Sequence, residues 1–130
     1  MRGAPAFVAR DDPSGQATVE AALVLPFVAM LLLAVVQVGV LVRAQVLVTH
    51  AAREAARAAA VDPDRSAAVD AAEHASSLDA TRMQVDVEGR GARGSRVTVR
   101  VTYDAPTDVP LIGGLIGDLQ LEGEATMRVE

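Results

Sequence analysis

The stretch that decides the fold is AALVLPFVAMLLLAVVQVGVLV, which runs from Ala21 to Val42 without a charged residue. At about 1.5 Å of rise per residue, a helix over this stretch is roughly 33 Å long, against a hydrocarbon core of about 30 Å in a bilayer. Apolar residues surround the helix axis instead of forming one stripe, unlike the surface helix of a soluble protein. We therefore predict a transmembrane helix over 21–42.

Two other interpretations of this stretch stay open. A buried core helix needs a domain around it, and the rest of this 130-residue chain is small for that purpose. A cleaved secretory signal has an apolar region of about 7–15 residues that ends at a small-x-small site. Here the apolar run is longer, and the nearest such site, 42–44, contains Arg43.

The composition bears on several classes of function. Hydrophobic residues make up 51% of the chain but aromatic residues only 2%, so the apolar content is mainly Ala, Val and Leu. Such side chains suit lipid contact and close helix packing. The net charge is -5 and no basic patch is interleaved with aromatic residues, so nucleic-acid binding is not supported. Without cysteine, disulfides and thiolate chemistry are excluded.

The residues just before the apolar stretch place a glycine, Gly15, five positions ahead of a glutamate, Glu20. Glycine has no side chain, so an extended backbone at Gly15 can enter a narrow protease cleft. A carboxylate at the head of a membrane helix is costly unless it reaches water or meets a cation. It also lies near the positive end of the helix dipole, which favours an anion.

Three motifs carry a resemblance to a known family: GQATVEAALVLP from Gly15, VVQVGVLV from Val35 and HAAREAARAAAVD from His50. Together they resemble the TadE-like family, the pilin-like minor proteins of tight-adherence (Flp-type) pilus systems. The resemblance covers roughly 15–62 and continues more weakly into VPLIGGLIGDL. The chain departs from the family in having Ala21 where an aromatic residue is common, and no basic residue directly before Gly15.

The resemblance implies a processing and assembly site. A prepilin peptidase would cut between Gly15 and Gln16 and remove the leader 1–15. Gln16 would become the mature N-terminus, a target for N-methylation, and Glu20 would meet the terminal amine of a neighbouring subunit. The implied partners are this peptidase, other pilin-like subunits, pilus assembly platform proteins and membrane lipid.

The same resemblance implies the topology. The chain would lie in a bacterial cytoplasmic membrane with the N-terminus in the cytoplasm and the C-terminal domain outside, with incorporation into a pilus as a further step. The positive-inside rule does not decide the orientation, because the arginines near the two ends of the span are almost balanced in number.

Beyond Val42 the alanine-rich sequence predicts that the helix continues as a stalk over 16–61 and stops at Asp62-Pro63, since the residue before a proline avoids the helical region. Gln37 inside the span is a candidate interhelix hydrogen-bonding group. Arg53 and Arg57 lie four residues apart and share a face. They are candidate contacts with a neighbouring subunit, with lipid headgroups or with solvent alone.

The remaining residues, 62–130, predict a small extracytoplasmic domain. A second short helix should run to about Leu78, with Asp62 as its cap. Alternating apolar residues predict three antiparallel strands, at 83–88, 97–104 and 119–130, covered on one face by the alanine-rich helices. The apolar loop 106–118 either folds back or contacts the membrane or a partner. The fold class is therefore α+β.

No arrangement of side chains indicates catalysis, and we expect no enzyme, cofactor, metal or small-molecule substrate. His50 and His74 lie on different helices without clustered carboxylates. The leading hypothesis is a TadE-like minor pilin or pseudopilin. The alternatives are an unprocessed membrane anchor that presents a small binding module, and a soluble domain released by cleavage near Ala44.

Overall fold

The computed structural model describes residues 13–107 and 117–130, with the side chains of 13 and 14 left out. Two α-helices are followed by a short 3₁₀ helix and three strands, which confirms the predicted α+β class. Most of the predicted leader, and 108–116 of the apolar loop, lie outside the described residues. The elements are α1 Pro13–Val61, α2 Arg65–Ala75, the 3₁₀ helix Ala80–Arg82, β1 Met83–Glu88, β2 Arg96–Ala105 and β3 Leu119–Arg128.

Two compact units divide the chain, Met1–Ala34 and Val35–Glu130. In the first unit, the described residues are helical and exposed along almost their whole length. Their exposed side chains include Leu23, Phe27 and Leu31. The most apolar window of α1 has a mean hydropathy of 2.6 and no buried residue, so the helix is long and apolar enough to cross a bilayer.

A proline accounts for the end of α1. The helix runs from Pro13, the first residue that the structure describes, so it already contains Gln16, where the motif predicted its start. It continues through Pro26 and ends at Val61. The predicted stop at Asp62-Pro63 is therefore confirmed.

The second helix begins two residues later than predicted. Its cap is Asp64, whose Oδ1 accepts a hydrogen bond from the Ser66 backbone N–H at 3.0 Å. The prediction that Asp62 is the cap is wrong: Asp62 Oδ1 instead accepts from the Asp64 N–H at 2.9 Å. The turn Asp62–Asp64 therefore uses one aspartate to shape the link and the next to start α2.

The three strands form one antiparallel sheet in the order β1-β2-β3. The register pairs Val85 with Val101 and Val101 with Gly123. Gly89 and Gly94 in the connection between β1 and β2 have φ angles of 76° and 87°, which only glycine adopts at low cost. The predicted hairpin and third strand are confirmed.

The core consists almost entirely of alanine and valine. One face of α1 is buried against the sheet, and α2 adds Ala68 and Ala72. The largest fully buried side chains are Val48, Val97, Val99 and Val101. Small side chains allow the helix and the sheet to approach closely. The buried residues of α1 are Ala44, Val48, Ala51, Ala52, Ala55, Ala56, Ala59 and Ala60.

Helix α1 approaches the sheet closely at Gly123 of β3. A Cβ atom at this position would lie 2.9 Å from the backbone oxygen of Val48 and 3.1 Å from the Thr49 Cα. Farther along, the Glu130 N–H donates to the Ala60 carbonyl oxygen at 3.1 Å. The second half of α1 therefore runs in the same direction as β3.

Side chains from both helices bind the outer edges of the sheet. Gln45 Nε2 donates to the Glu122 carbonyl oxygen on β3 at 2.8 Å. Arg65 donates to the Val85 carbonyl oxygen on β1 at 2.7 Å. Arg90 in the hairpin connection donates to the Asp62 carbonyl oxygen at the end of α1. Each bond gives a backbone carbonyl oxygen a side-chain donor.

Two exposed groups of the second unit have shifted pKa values. The pKa of Arg100 is raised, first by its hydrogen bond to Glu124 at 2.9 Å and then by the charge of Glu122. The pKa of Asp79 is lowered, because its carboxylate accepts hydrogen bonds from the Thr81 side chain and backbone. The stabilising contribution of Asp79 is thus present above its unfolded pKa and is lost as the pH falls through its folded pKa.

Replacing Gly123 by alanine is expected to destabilise the domain by about 1–3 kcal/mol, because the new methyl group meets helix backbone that cannot rotate away. Denaturant unfolding of the detergent-solubilised chain, followed by circular dichroism, measures the change. Gly91→Ala is the control, since its Cβ would meet only the Ser95 side chain. Equal midpoints for both variants would show that α1 does not approach the sheet at Gly123.

Candidate membrane-boundary and assembly site

The predicted processing bond, between Gly15 and Gln16, lies near the start of α1. Both residues are helical and exposed, and no atom lies within 4 Å of the place where a Gly15 Cβ would be. The extended backbone that we expected at Gly15 is therefore not found, because the helix already begins at Pro13. Entry of this bond into a protease cleft would require the first turn of the helix to unwind.

Glu20 is an exposed carboxylate directly before the apolar stretch. It forms no ion pair or hydrogen bond with another residue of the described ranges 13–107 and 117–130. The first turn of α1 holds no acidic residue, so Glu20 lies beyond the turn in which the helix dipole acts most strongly. The helix dipole therefore stabilises the Glu20 carboxylate only weakly. No cation among the described residues pairs with it.

Gln37 is half-buried, and its Nε2 atom is enclosed without a hydrogen-bond partner in the part of the chain that the structure describes. An unpaired amide inside hydrocarbon is costly, and a group on a second helix could satisfy it. The amide carries both a donor and an acceptor, so a rotation of its end group presents either one to a neighbour.

Arg53 and Arg57 are exposed on the second half of α1, on one stripe with Val46 and His50. The nearest carboxylate to Arg57 is Glu54, at 4.0 Å, an exposed pair that is worth little. Arg53 has no ion pair among the described residues. This outward stripe, defined by Val46, His50, Arg53 and Arg57, therefore leaves cationic groups available above the span.

The alanine face of the stalk covers the sheet, as the sequence predicts. Ala51, Ala52 and Ala55 are fully buried inside the chain's own domain, so they are not available to helices of neighbouring subunits. Gln37, inside the predicted span, lies on the same side of α1 as this buried face. Arg53 and Arg57 lie on the opposite side. The predicted contact residues thus form two separate surfaces.

The histidines lie apart in sequence, and His74 Nδ1 is 2.7 Å from the Asp70 carbonyl oxygen of its own helix. No group of three or more potential metal ligands occurs among the described residues. A cavity that the sequence did not indicate is lined by Arg43, Ser77 and Tyr103. These residues come from three distant segments, so no spacing along the chain could have revealed it.

Comparison with known families confirms the resemblance. Residues 15–57 match the family model described as TadE-like protein, which covers about a third of the chain. Gly15, Gln16, Glu20 and Gln37 lie in the matched segment, as do both stalk arginines. Comparisons with curated proteins and with solved structures found no match.

Proposed function

We propose that this chain is a TadE-like minor pilin or pseudopilin that takes part in assembling a tight-adherence pilus. The observation that carries the proposal is the family match over 15–57, which contains the predicted processing and assembly residues. The match and the span-length apolar helix fit a membrane protein associated with such a pilus. Adhesion to a surface or cell would then be a property of the assembled pilus.

In this proposal the chain crosses the cytoplasmic membrane once. The leader 1–15 lies in the cytoplasm, where a prepilin peptidase cuts after Gly15, and the domain 62–130 lies outside. The unit Val35–Glu130 contains the buried core, whereas the helix of the first unit presents apolar side chains to its surroundings. Lipid is the environment in which those exposed side chains are stable.

Cleavage would create the cationic partner that the Glu20 carboxylate lacks within its own chain. The new terminal amine at Gln16 is cationic, and a neighbouring subunit can bring it to an unpaired Glu20 carboxylate. Two opposite unit charges at about 4 Å attract by about 4 kcal/mol at an effective dielectric near 20, before desolvation. Such a pair between neighbours would set the axial position of one helix against the next.

A second candidate function is an unprocessed anchor that presents the small domain at the membrane surface. The observation in its favour is that α1 begins at Pro13 and encloses the Gly15–Gln16 bond within the helix. A peptidase would need to unwind this end, whereas an anchor would not. The two functions differ in the N-terminus of the mature protein.

Replacing Gly15 by phenylalanine is expected to block processing, because a bulky side chain does not fit a cleft that accepts glycine. Intact mass and N-terminal sequencing of membrane-purified protein give the result: Gln16 for the parent chain and Met1 for the variant. Gly39→Ala is the matched control, since it also changes an unobstructed helical glycine. An N-terminus at Met1 in the parent chain would favour the unprocessed anchor, and one near Gln45 the released domain.

Replacing Glu20 by alanine is expected to leave membrane insertion and processing intact but to lower incorporation into assembled pili by about tenfold or more. Quantitative immunoblots of sheared pili and of membranes measure both fractions. Glu54→Ala is the control, because this carboxylate lies on the same helix but outside the boundary. Loss of the variant from the membrane fraction would contradict the assembly role.

Replacing Gln37 by leucine is expected to weaken association between subunits about threefold, which corresponds to about 0.6 kcal/mol for an interhelix hydrogen bond in a membrane. The chain has no cysteine, so Ala34→Cys one turn away can report proximity through disulfide cross-linking in membranes. Cross-linking of the Ala34→Cys chain would be measured with and without the added Gln37→Leu change. Val36→Leu, added to the same Ala34→Cys chain, serves as the control. Unchanged cross-linking would remove Gln37 from the contact.

A further inference from the structure

A cavity of about 210 Å³ opens beside the end of the predicted span, within the unit Val35–Glu130. Its apolar lining includes Val40 and Leu47 of α1 and Leu78 beyond α2. Val40 belongs to the uncharged stretch, and Arg43 is the first charged residue after it. The cavity therefore lies on α1 where the apolar segment changes to a polar one.

Three polar side chains line this cavity: Arg43, Ser77 and Tyr103. None of them hydrogen-bonds or pairs with another residue of the described chain. Tyr103 is only 6% exposed, so its ring is packed into the domain and the position of its hydroxyl is restricted. An arginine, a serine and a tyrosine can all donate hydrogen bonds, and an unsatisfied set of donors beside a cation is complementary to an anion.

We propose that this cavity binds the phosphate-bearing headgroup of an anionic phospholipid from the membrane that the helix crosses. Arg43 would pair with the phosphodiester, and the hydroxyls of Ser77 and Tyr103 would donate to its oxygens. The apolar lining would contact the adjoining glycerol and the beginning of the acyl chains. The inference depends on the proposed function only in requiring that 21–42 span a bilayer.

The size of the cavity and the local charge of Arg43 favour this occupant. Sites that enclose drug-sized ligands are about 300–1,000 Å³, so the cavity suits a small headgroup and leaves the lipid tails outside. The chain carries a net charge of -5, so its overall charge does not attract an anionic surface. Binding of an anionic lipid must then come from a local group, and Arg43 is unpaired and next to the apolar stretch. Arginine and tyrosine are also residues that hold helix ends at the headgroup level.

The test measures lipid retention by the full-length chain, purified in mild detergent and examined by native mass spectrometry. Phosphatidylglycerol is the anionic probe, and phosphatidylcholine, which has the same phosphodiester but no net charge, is the comparison. We expect at least tenfold preference for phosphatidylglycerol, because the choline ammonium of phosphatidylcholine would bring a second cation close to Arg43. Arg43→Gln should reduce that preference about tenfold. Tyr103→Phe should reduce the retention of phosphatidylglycerol about threefold, since it removes only the hydroxyl.

Arg53→Gln is the matched control, because it removes one exposed and unpaired arginine of the same helix outside the cavity. Equal losses for Arg43→Gln and Arg53→Gln, or equal retention of the two lipids, would overturn the proposal. Competition by inorganic phosphate at the same concentration would identify a free anion as the ligand and would also overturn the lipid assignment. Circular dichroism verifies that each variant is folded.

Membrane fractionation of the same variants distinguishes failure of this inference from failure of the proposed function. A chain that is found in membranes with Gln16 at its N-terminus but shows no lipid preference overturns the lipid site alone. A chain that does not fractionate with membranes overturns both, because no lipid would then be adjacent to Arg43.

Discussion

The close approach of α1 to the sheet is the constraint on which the rest of the domain depends. The face that α1 presents to β2 and β3 is alanine with a single valine, Val48, and the facing strand has no side chain at Gly123. Because the backbones come so near, the core needs little volume, and valines are its largest fully buried side chains. A domain this small can therefore be built on a helix that also has to supply an apolar span.

This use of the alanine face determines which surfaces of α1 are available to partners. A residue that is fully buried in its own domain cannot also contact a neighbouring subunit. Any contact that the stalk makes with a neighbour would therefore fall on its outward side, which includes the stripe of Val46, His50, Arg53 and Arg57. In the first unit this restriction does not apply, since the described part of its helix is exposed along almost its whole length. The helix of the first unit thus presents an apolar surface, whereas the stalk presents a cationic one.

Periodicity in the sequence predicted the elements that depend on local patterns. Alternation placed β1 at its observed bounds, and the proline after Asp62 placed the end of α1. The errors have physical reasons. Asp62 and Asp64 are equally good caps by residue type, and only the hydrogen bond to Ser66 distinguishes them. The contact at Gly123 and the cavity beside Arg43 are formed by residues far apart in sequence, and periodicity carries no information about such contacts.

The boundary carboxylate also raises a question of competition. After cleavage, the amine at Gln16 and the carboxylate of Glu20 would lie four residues apart on the same helix, where they could pair within one chain. An exposed pair at this spacing is worth only about 0.3–0.5 kcal/mol. In a pair between chains, the Coulomb attraction is stronger because the surrounding dielectric is lower. That attraction must also exceed the free-energy cost of removing both charges from water. In the proposed assembly, association between chains would therefore need a contribution from helix packing as well, so the exposed apolar surface of α1 and the charge at Glu20 would act in the same step.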